Sequence, residues 1–261
     1  MEHIRNWLSE IEQTCRKINH HYIDILIDQC GMEFSVIPAL SGFSSSLAWC
    51  SLYEGIPEDI YREDAPLLIR IDLDEPQQVQ WLSELAREVA LTAPLLLIVS
   101  PWPFSALAKW LRQCVDASHE GLPGIFRFWD TRIFPWLFNG ILTAKAGAQL
   151  LRPALFWSWI DRDDNPAILA GKGAAYADEI AQQITFSDAQ FEAMMCLSDA
   201  ILFLKAQHLP ENIYPTKEEL FSACFNAMLE ATKKKILFEE DRDAWVLAGL
   251  SEYKKYNEVQ G

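Results

Sequence analysis

Residues 125–138 read Ile-Phe-Arg-Phe-Trp-Asp-Thr-Arg-Ile-Phe-Pro-Trp-Leu-Phe, so two arginines flank one acid inside a run of Phe and Trp. Each arginine is a planar fork of donors suited to a carboxylate or a phosphate. Asp130 between them supports two readings. In one it is a structural clamp that caps a helix start and pairs with Arg127 or Arg132. Charges among apolar groups persist when they are paired and hydrogen-bonded. In the other, Arg127, Trp129, Asp130 and Arg132 form a binding site for an anion or a peptide. The clamp is favoured, because Asp130 neutralises much of the positive charge that an anion site needs.

The elements that must hold these residues follow from the pattern around them. Ile125, Arg127 and Trp129 alternate with Phe126 and Phe128, which predicts a strand starting at Gly124. At Asp130 the period changes, and Ile133, Trp136 and Leu137 suit a short helix capped by that Asp. Upstream, Ile4, Trp7, Leu8, Ile11, Cys15 and Ile18 recur at helical spacing. Residues 22–28 predict a strand, and Pro76 opens a helix lined by Val79, Leu82, Leu85, Ala86 and Val89. The fully apolar residues 95–99 predict a buried central strand. Ser100 is placed to cap the next helix, lined by Leu107, Leu111, Cys114 and Val115. Residues 143–151 read as a helix and 156–160 as a last strand, with 161–166 as an exit loop.

From residue 161 to 187 the small and polar residues show little periodicity, which predicts a linker. Beyond it the chain reads as helix only. Ser187 to Gln190 and Thr216 to Glu219 are capping boxes. Phe191, Met194, Met195, Ile201 and Leu202 form a stripe expected in the core. Trp245, Leu250, Tyr253 and Tyr256 suggest a third helix. The predicted fold class is α/β, with α+β as the alternative. It comprises an N-terminal α/β lobe, residues 1–165, with a mainly parallel or mixed sheet, and an all-helical lobe, residues 166–261.

Composition excludes several classes. A formal charge of −15 argues against nucleic-acid backbones and anionic membranes. Six cysteines without C-x-x-C spacing predict reduced thiols and neither zinc nor a disulfide framework. The opening residues have no apolar segment of a signal peptide, and the longest apolar run is too short to cross a bilayer, so the expected location is the cytoplasm. Residues 54–75 hold eight acids and two arginines, read as a solvated surface rather than a docking patch.

Catalytic and metal motifs fail on inspection. Gly42-Phe43-Ser44-Ser45-Ser46 lacks the final Gly of a nucleophile elbow. Asp161, Asp163 and Asn165 begin like a calcium loop, but Pro166 and Lys172 stand where Gly and Glu belong. Gly171-Lys172-Gly173 lacks the rest of a phosphate loop. His20 and His21 read as boundary residues. No catalytic residue, cofactor or metal is expected.

Several segments resemble one known family. Residues 126–134, Phe-Arg-Phe-Trp-Asp-Thr-Arg-Ile-Phe, resemble the F-R-F-Y-D-P-R-V-L signature of type VI secretion effector adaptors, also called effector chaperones. Trp129 replaces the usual Tyr and Thr131 the usual Pro. The strand ending in Asp28 is similar to the family's Y-x-L-L-D. Residues 52–76 resemble its L-[YF]-x-G-x-P…A-P-[YW]-L-V-x-L segment, and Leu107 to Arg112 its L-x-x-x-L-R helix. The resemblance spans residues 22 to about 160. It implies a non-catalytic adaptor whose partners are a cognate toxic effector and the secretion spike protein. By extension of the resemblance, the α/β lobe is expected to make the shared contact and the helical lobe to hold the individual effector, with the reverse assignment as the alternative. Two other readings stand beside it. One is a small-molecule enzyme using a cleft near Asp130, with Arg127 or Arg132 holding a carboxylate. The other is a generic regulatory protein binding through the acidic segment.

Overall fold

The first helix, α1 (Glu2–Lys17), buries Ile4, Trp7, Leu8, Ile11 and Cys15. It ends in a Schellman turn. Asn19 takes φ 56°, and the His20 N–H reaches the Cys15 carbonyl at 2.9 Å and the Asn19 N–H the Arg16 carbonyl at 3.1 Å. Asn tolerates this left-handed conformation better than most residues. The helix therefore stops before Ile18, which is left half exposed.

The computed structural model describes residues 2–30, 32–43, 47–207, 209 and 214–258, with side chains as far as Ser251. After α1 come β1 (Tyr22–Ile27), α2 (Ile37–Leu40), β2 (Trp49–Ser51) and a 3-10 turn (Pro57–Ile60). Next are β3 (Leu67–Asp72), α3 (Pro76–Glu88), β4 (Leu96–Val99), α4 (Phe104–Val115), β5 (Asp116–His119) and β6 (Leu122–Ile125). Then follow α5 (Phe134–Trp136), a π turn (Leu137–Ile141), α6 (Ala144–Leu151), β7 (Phe156–Ile160), β8 (Pro166–Ala170) and β9 (Ile184–Phe186). The chain closes with α7 (Asp188–Ala206), α8 (Lys217–Lys233) and α9 (Glu239–Glu258).

Six strands form one sheet in the order β2-β3-β1-β4-β7-β8, and three form another in the order β6-β5-β9. The lobe is thus a mixed α/β unit followed by helices alone. Of the expected mainly parallel or mixed sheet, the parallel part is not found, since every pairing in the six-stranded sheet is antiparallel. Strands β3 and β4 run the same way, joined across β1 by α3, which makes a split βαβ unit. The apolar run that suggested a parallel sheet has another cause: β4 is central and covered on both faces. Ile23, Ile25, Ile27, Ile69, Leu97 and Val99 share one core cluster with α1 and α3. On the opposite face Trp157, paired with Ile98, meets the rings of Phe128 and Phe134.

Three local expectations fail for identifiable reasons. The strand predicted from Gly124 through Trp129 ends where it was meant to begin. Its pairing partner is β5, through a two-residue turn at Glu120 (φ 50°) and Gly121 (φ 78°), the mirror-image geometry that suits hairpins. Beyond Ile125 the Phe128 N–H turns back to the Phe126 carbonyl at 2.9 Å, so Phe126, Phe128 and Trp129 are all buried instead of alternating. Second, Ser100 does not cap α4. Its Oγ donates to the Pro153 carbonyl at 2.7 Å and accepts from the Trp102 N–H at 3.2 Å, two residues before the helix.

The third failure concerns the boundary. The chain divides into two compact units, Met1–Thr185 and Phe186–Gly261, rather than at residue 165. The expected exit loop is the hairpin turn between β7 and β8, closed by the Asp161 N–H on the Asn165 carbonyl at 2.9 Å. At the end of β8, a Cβ on Gly171 would lie 2.0 Å from the Ala154 carbonyl oxygen, so the chain needs Gly there. Residues 172–174 then bond back to Leu151, Ala154 and Arg152, and the Ala181 and Gln182 N–H groups donate to Gln113 and Gln149. This stretch is strapped to the first unit.

In the second unit, Gln190 accepts from the Ser187 N–H at 3.0 Å and Thr216 from the Glu219 N–H at 3.1 Å. Its core is Cys196, Leu197, Ala200 and Phe203 of α7 with Phe221, Cys224, Phe225, Met228, Val246 and Leu250. Of the predicted stripe, Phe191, Met195 and Leu202 are exposed and Met194 and Ile201 are only partly buried. Helix α7 is apolar nearly all round, so spacing alone did not select the buried face. Tyr253 and Tyr256 have side chains outside the described residues.

Candidate functional site

One end of the large sheet, where β1 and β7 finish and β4 begins, gathers most of the predicted site residues. Asp28, just beyond β1, accepts from the Cys30 N–H at 3.1 Å and from Arg127 at 2.5 Å. Burial opposes the charge on Arg127, yet the ion pair and hydrogen bond to Asp28, with Asp130 nearby, hold its pKa above the usual range. Asp130 takes the other arginine. Its carboxylate receives Arg132 through two guanidinium nitrogens at 2.9 and 2.6 Å and the Arg132 N–H at 3.0 Å. The hydrogen bond to Asp130 raises Arg132 against the opposing pull of burial. The Asp130 carbonyl also receives the Ile133 and Phe134 N–H groups at 3.0 and 2.8 Å, which starts the turn into α5. Arg162, from the β7–β8 turn, donates to the Arg132 carbonyl.

These residues border a cavity of about 420 Å³. Ile4, Trp7, Leu95, Trp129 and Ile160 give it apolar walls, while Asp28, Asp130, Arg132, Asp161, Arg162 and Asp164 give it charge. Of the four predicted residues, Trp129, Asp130 and Arg132 line it; Arg127 is absent from its lining and is joined to it through Asp28. Trp129 is buried, edge-on to Phe128 and Tyr53, and its indole N–H finds no acceptor. Burial, reinforced by Asp28, pushes the Tyr53 phenol up to about 12.

Asp28 and Asp130 are engaged by arginines, and Asp161 accepts from the Asp163 and Asn165 N–H groups at 2.9 and 2.8 Å. His3, Arg87, Glu88, Thr92 and Thr131 also line the cavity. Among the described residues no group of three or more His, Cys, Asp or Glu could hold a metal ion. The apparent calcium loop is the Asp161 hairpin turn, and residues 44–46 of the apparent nucleophile elbow lie outside the described residues, as does His208. His21 bonds Asp74 at 2.8 Å. His20 is half-buried beside Tyr22, and burial lowers its pKa. In the acidic segment Glu54 pairs with Arg112 at 2.5 Å, while Ile60 and Tyr61 stand exposed.

Residues 25–146 match the family model described as "Domain of unknown function (DUF4123)". No curated protein and no solved structure matches the chain. The matched span runs from β1 into α6, so it includes Asp28, Arg127, Trp129, Asp130 and Arg132 and leaves out β7, β8 and the helical unit. Among the described residues no helix is long and apolar enough to cross a membrane.

One pair that the strands bring together is not visible in the spacing. Asp24 of β1 and Arg70 of β3 stand directly opposite each other, bonded at 2.7 and 2.8 Å, with Asp24 fully buried. Arg70 also donates to the Trp102 carbonyl at 3.1 Å and lies 3.8 Å from the Tyr22 ring centre. The signal was present as a charge inside each of two largely apolar strands, Asp24 in β1 and Arg70 in β3, whose last residue Asp72 is also charged.

Proposed function

We propose that this chain is an adaptor that binds a cognate type VI secretion effector and promotes its loading onto the spike protein. The observation that carries the reading is the match of residues 25–146 to the DUF4123 family model. That span contains the segments resembling the effector adaptors. What supports it is a cavity bordered by Trp129, Asp130 and Arg132, in which Asp28 and Asp130 are engaged by arginines and Asp161 by its own turn. Such a cavity takes an apolar side chain of a partner, with charges at its rim to set orientation. In this reading the α/β unit makes the contact shared across the family, and the helical unit holds the individual effector. Affinity purification from the producing cells, followed by mass spectrometry, tests it. Recovery of a toxin and a spike protein is expected; recovery of neither sinks the adaptor reading.

A second reading, a small-molecule site, draws on the cavity itself. Arg132 stands at its edge with a half-exposed side chain, placed to meet a ligand carboxylate. Calorimetry of the purified chain against small carboxylates separates the two readings. Tight binding that Arg132→Gln abolishes would favour the small-molecule site.

A further inference from the structure

The outer edge of the six-stranded sheet carries an unclaimed row of backbone hydrogen-bonding groups. Strand β8 is terminal in the sheet order. Its register with β7 pairs Ile160 with Pro166, Ser158 with Ile168 and Phe156 with Ala170. The bonds at both ends, Asp161 N–H to the Asn165 carbonyl and Gly171 N–H to the Leu155 carbonyl, fix the phase of the ladder. In an antiparallel pair hydrogen-bonded and non-hydrogen-bonded positions alternate. Ala167 and Leu169 therefore bond to β7, and the N–H and C=O groups of Ile168 and Ala170, with the Pro166 carbonyl, point outward. Among the described residues no hydrogen bond claims them.

Proteins usually protect such an edge with charge, bulges or cover. Here Pro166 protects only the first position, and Ile168 is 62% exposed. Directly paired residues share a face, so Pro166 and Ile168 project on the same side as Ile160, which lines the cavity. Asp161, Arg162 and Asp164 of the β7–β8 turn also line that cavity. The edge strand thus follows directly on the turn that borders the cavity.

We infer that β8 receives an extended segment of a second protein as an added strand. Its backbone pairs with Ile168 and Ala170, an apolar side chain covers Ile168, and a basic residue lies beside Asp163 and Asp164. Backbone pairing supplies affinity and the alternate side chains supply specificity. The acids of the turn exceed its single arginine, and the whole chain carries −15, which favours a basic partner over a second copy of this chain. The inference goes beyond the adaptor reading, since it fixes a mode of contact whatever the partner's activity.

Photo-crosslinking in the producing cells tests it, with a benzophenone amino acid at Ala170 of the full chain. The expected result is an adduct with one other protein. Ile168→Pro removes an outward N–H without touching the β7 ladder, and should cut the adduct by at least about tenfold at an unchanged melting temperature, while Ile168→Leu retains it. In the purified wild-type pair, the Ile168 and Ala170 amides should exchange at least about tenfold more slowly than in the free chain. If Ile168→Pro melts early, that exchange measurement decides. No adduct, an adduct with a second copy, or unprotected amides would overturn the inference. Protected amides with a partner that is neither toxin nor spike protein would retain it and reject the adaptor reading.

Discussion

Asp24 and Arg70 meet between neighbouring strands with Asp24 fully buried and Arg70 14% exposed at its side chain. Burial pushes the Asp24 carboxyl up to about 6 against the opposing pull of Arg70. Removing one partner of such a pair strands the other, at a cost of about 3–5 kcal/mol. Asp24→Asn should lower stability by that amount in urea denaturation. The double change Asp24→Leu with Arg70→Met should recover most of it, and equal losses in both variants would show that the pair does not act as a unit. Asp130 is a milder case, because Arg132 is half exposed and such ion pairs are worth roughly 0–1 kcal/mol. Asp130 does not cap α5 as the spacing predicted, since that helix follows Ile133 without a side-chain cap; Asp130→Ala loses chiefly a turn bond to the Arg132 N–H, worth about 1 kcal/mol. Its melting temperature should fall by a few degrees. A variant that melts like wild type but loses its partner would make Asp130 a binding residue.

Elements were legible where a strong pattern met few alternatives. The apolar spacing of α1, the Pro-led start of α3 and the aromatic strand Phe156–Ile160 fall where the residues placed them. Strand β8 was not legible, since Pro-Ala-Ile-Leu-Ala is short, begins with Pro and owes its conformation to pairing with β7. Strand propensity depends on such context more than helix propensity does. Strand β5 likewise has no β-branched residue, although Glu120-Gly121 was a usable turn signal. Within the site, residues 125–138 announced Trp129, Asp130 and Arg132, but not that Arg127 crosses to Asp28, because that contact joins positions 99 residues apart. Gly171 gives β8 its own test. Gly171→Ala forces a carbon against the Ala154 carbonyl, and overpacking of this kind costs about 1–3 kcal/mol. Hydrogen exchange should quicken first along β8; uniform exchange at wild-type rates would mean that the turn adjusts without cost.

At the scale of the whole chain, the position of the unit boundary decides which fragments are meaningful. Residues 161–187 looked like a linker because their small and polar residues lack periodicity. The structure uses residues 161–185 in the first unit, as a hairpin turn, the edge strand β8, a strap and the start of β9. The strap is held by the Trp102 indole N–H on the Ala174 carbonyl at 2.7 Å and by Arg152 on Glu179 at 2.9 Å. A fragment ending at residue 165 would lose β8, uncover the edge of β7 beside Trp157 and Trp159, and leave the Trp102 N–H without its acceptor. Unpaired buried donors cost about 1–3 kcal/mol each, and a bare hydrophobic strand edge invites aggregation. Residues 1–185 should therefore melt cooperatively as a monomer. Residues 1–165 should either aggregate or melt well below it when both are followed by circular dichroism. If the shorter fragment melts within a few degrees of the longer one, the strap and β8 add little to the first unit, and the boundary belongs nearer to residue 165 after all.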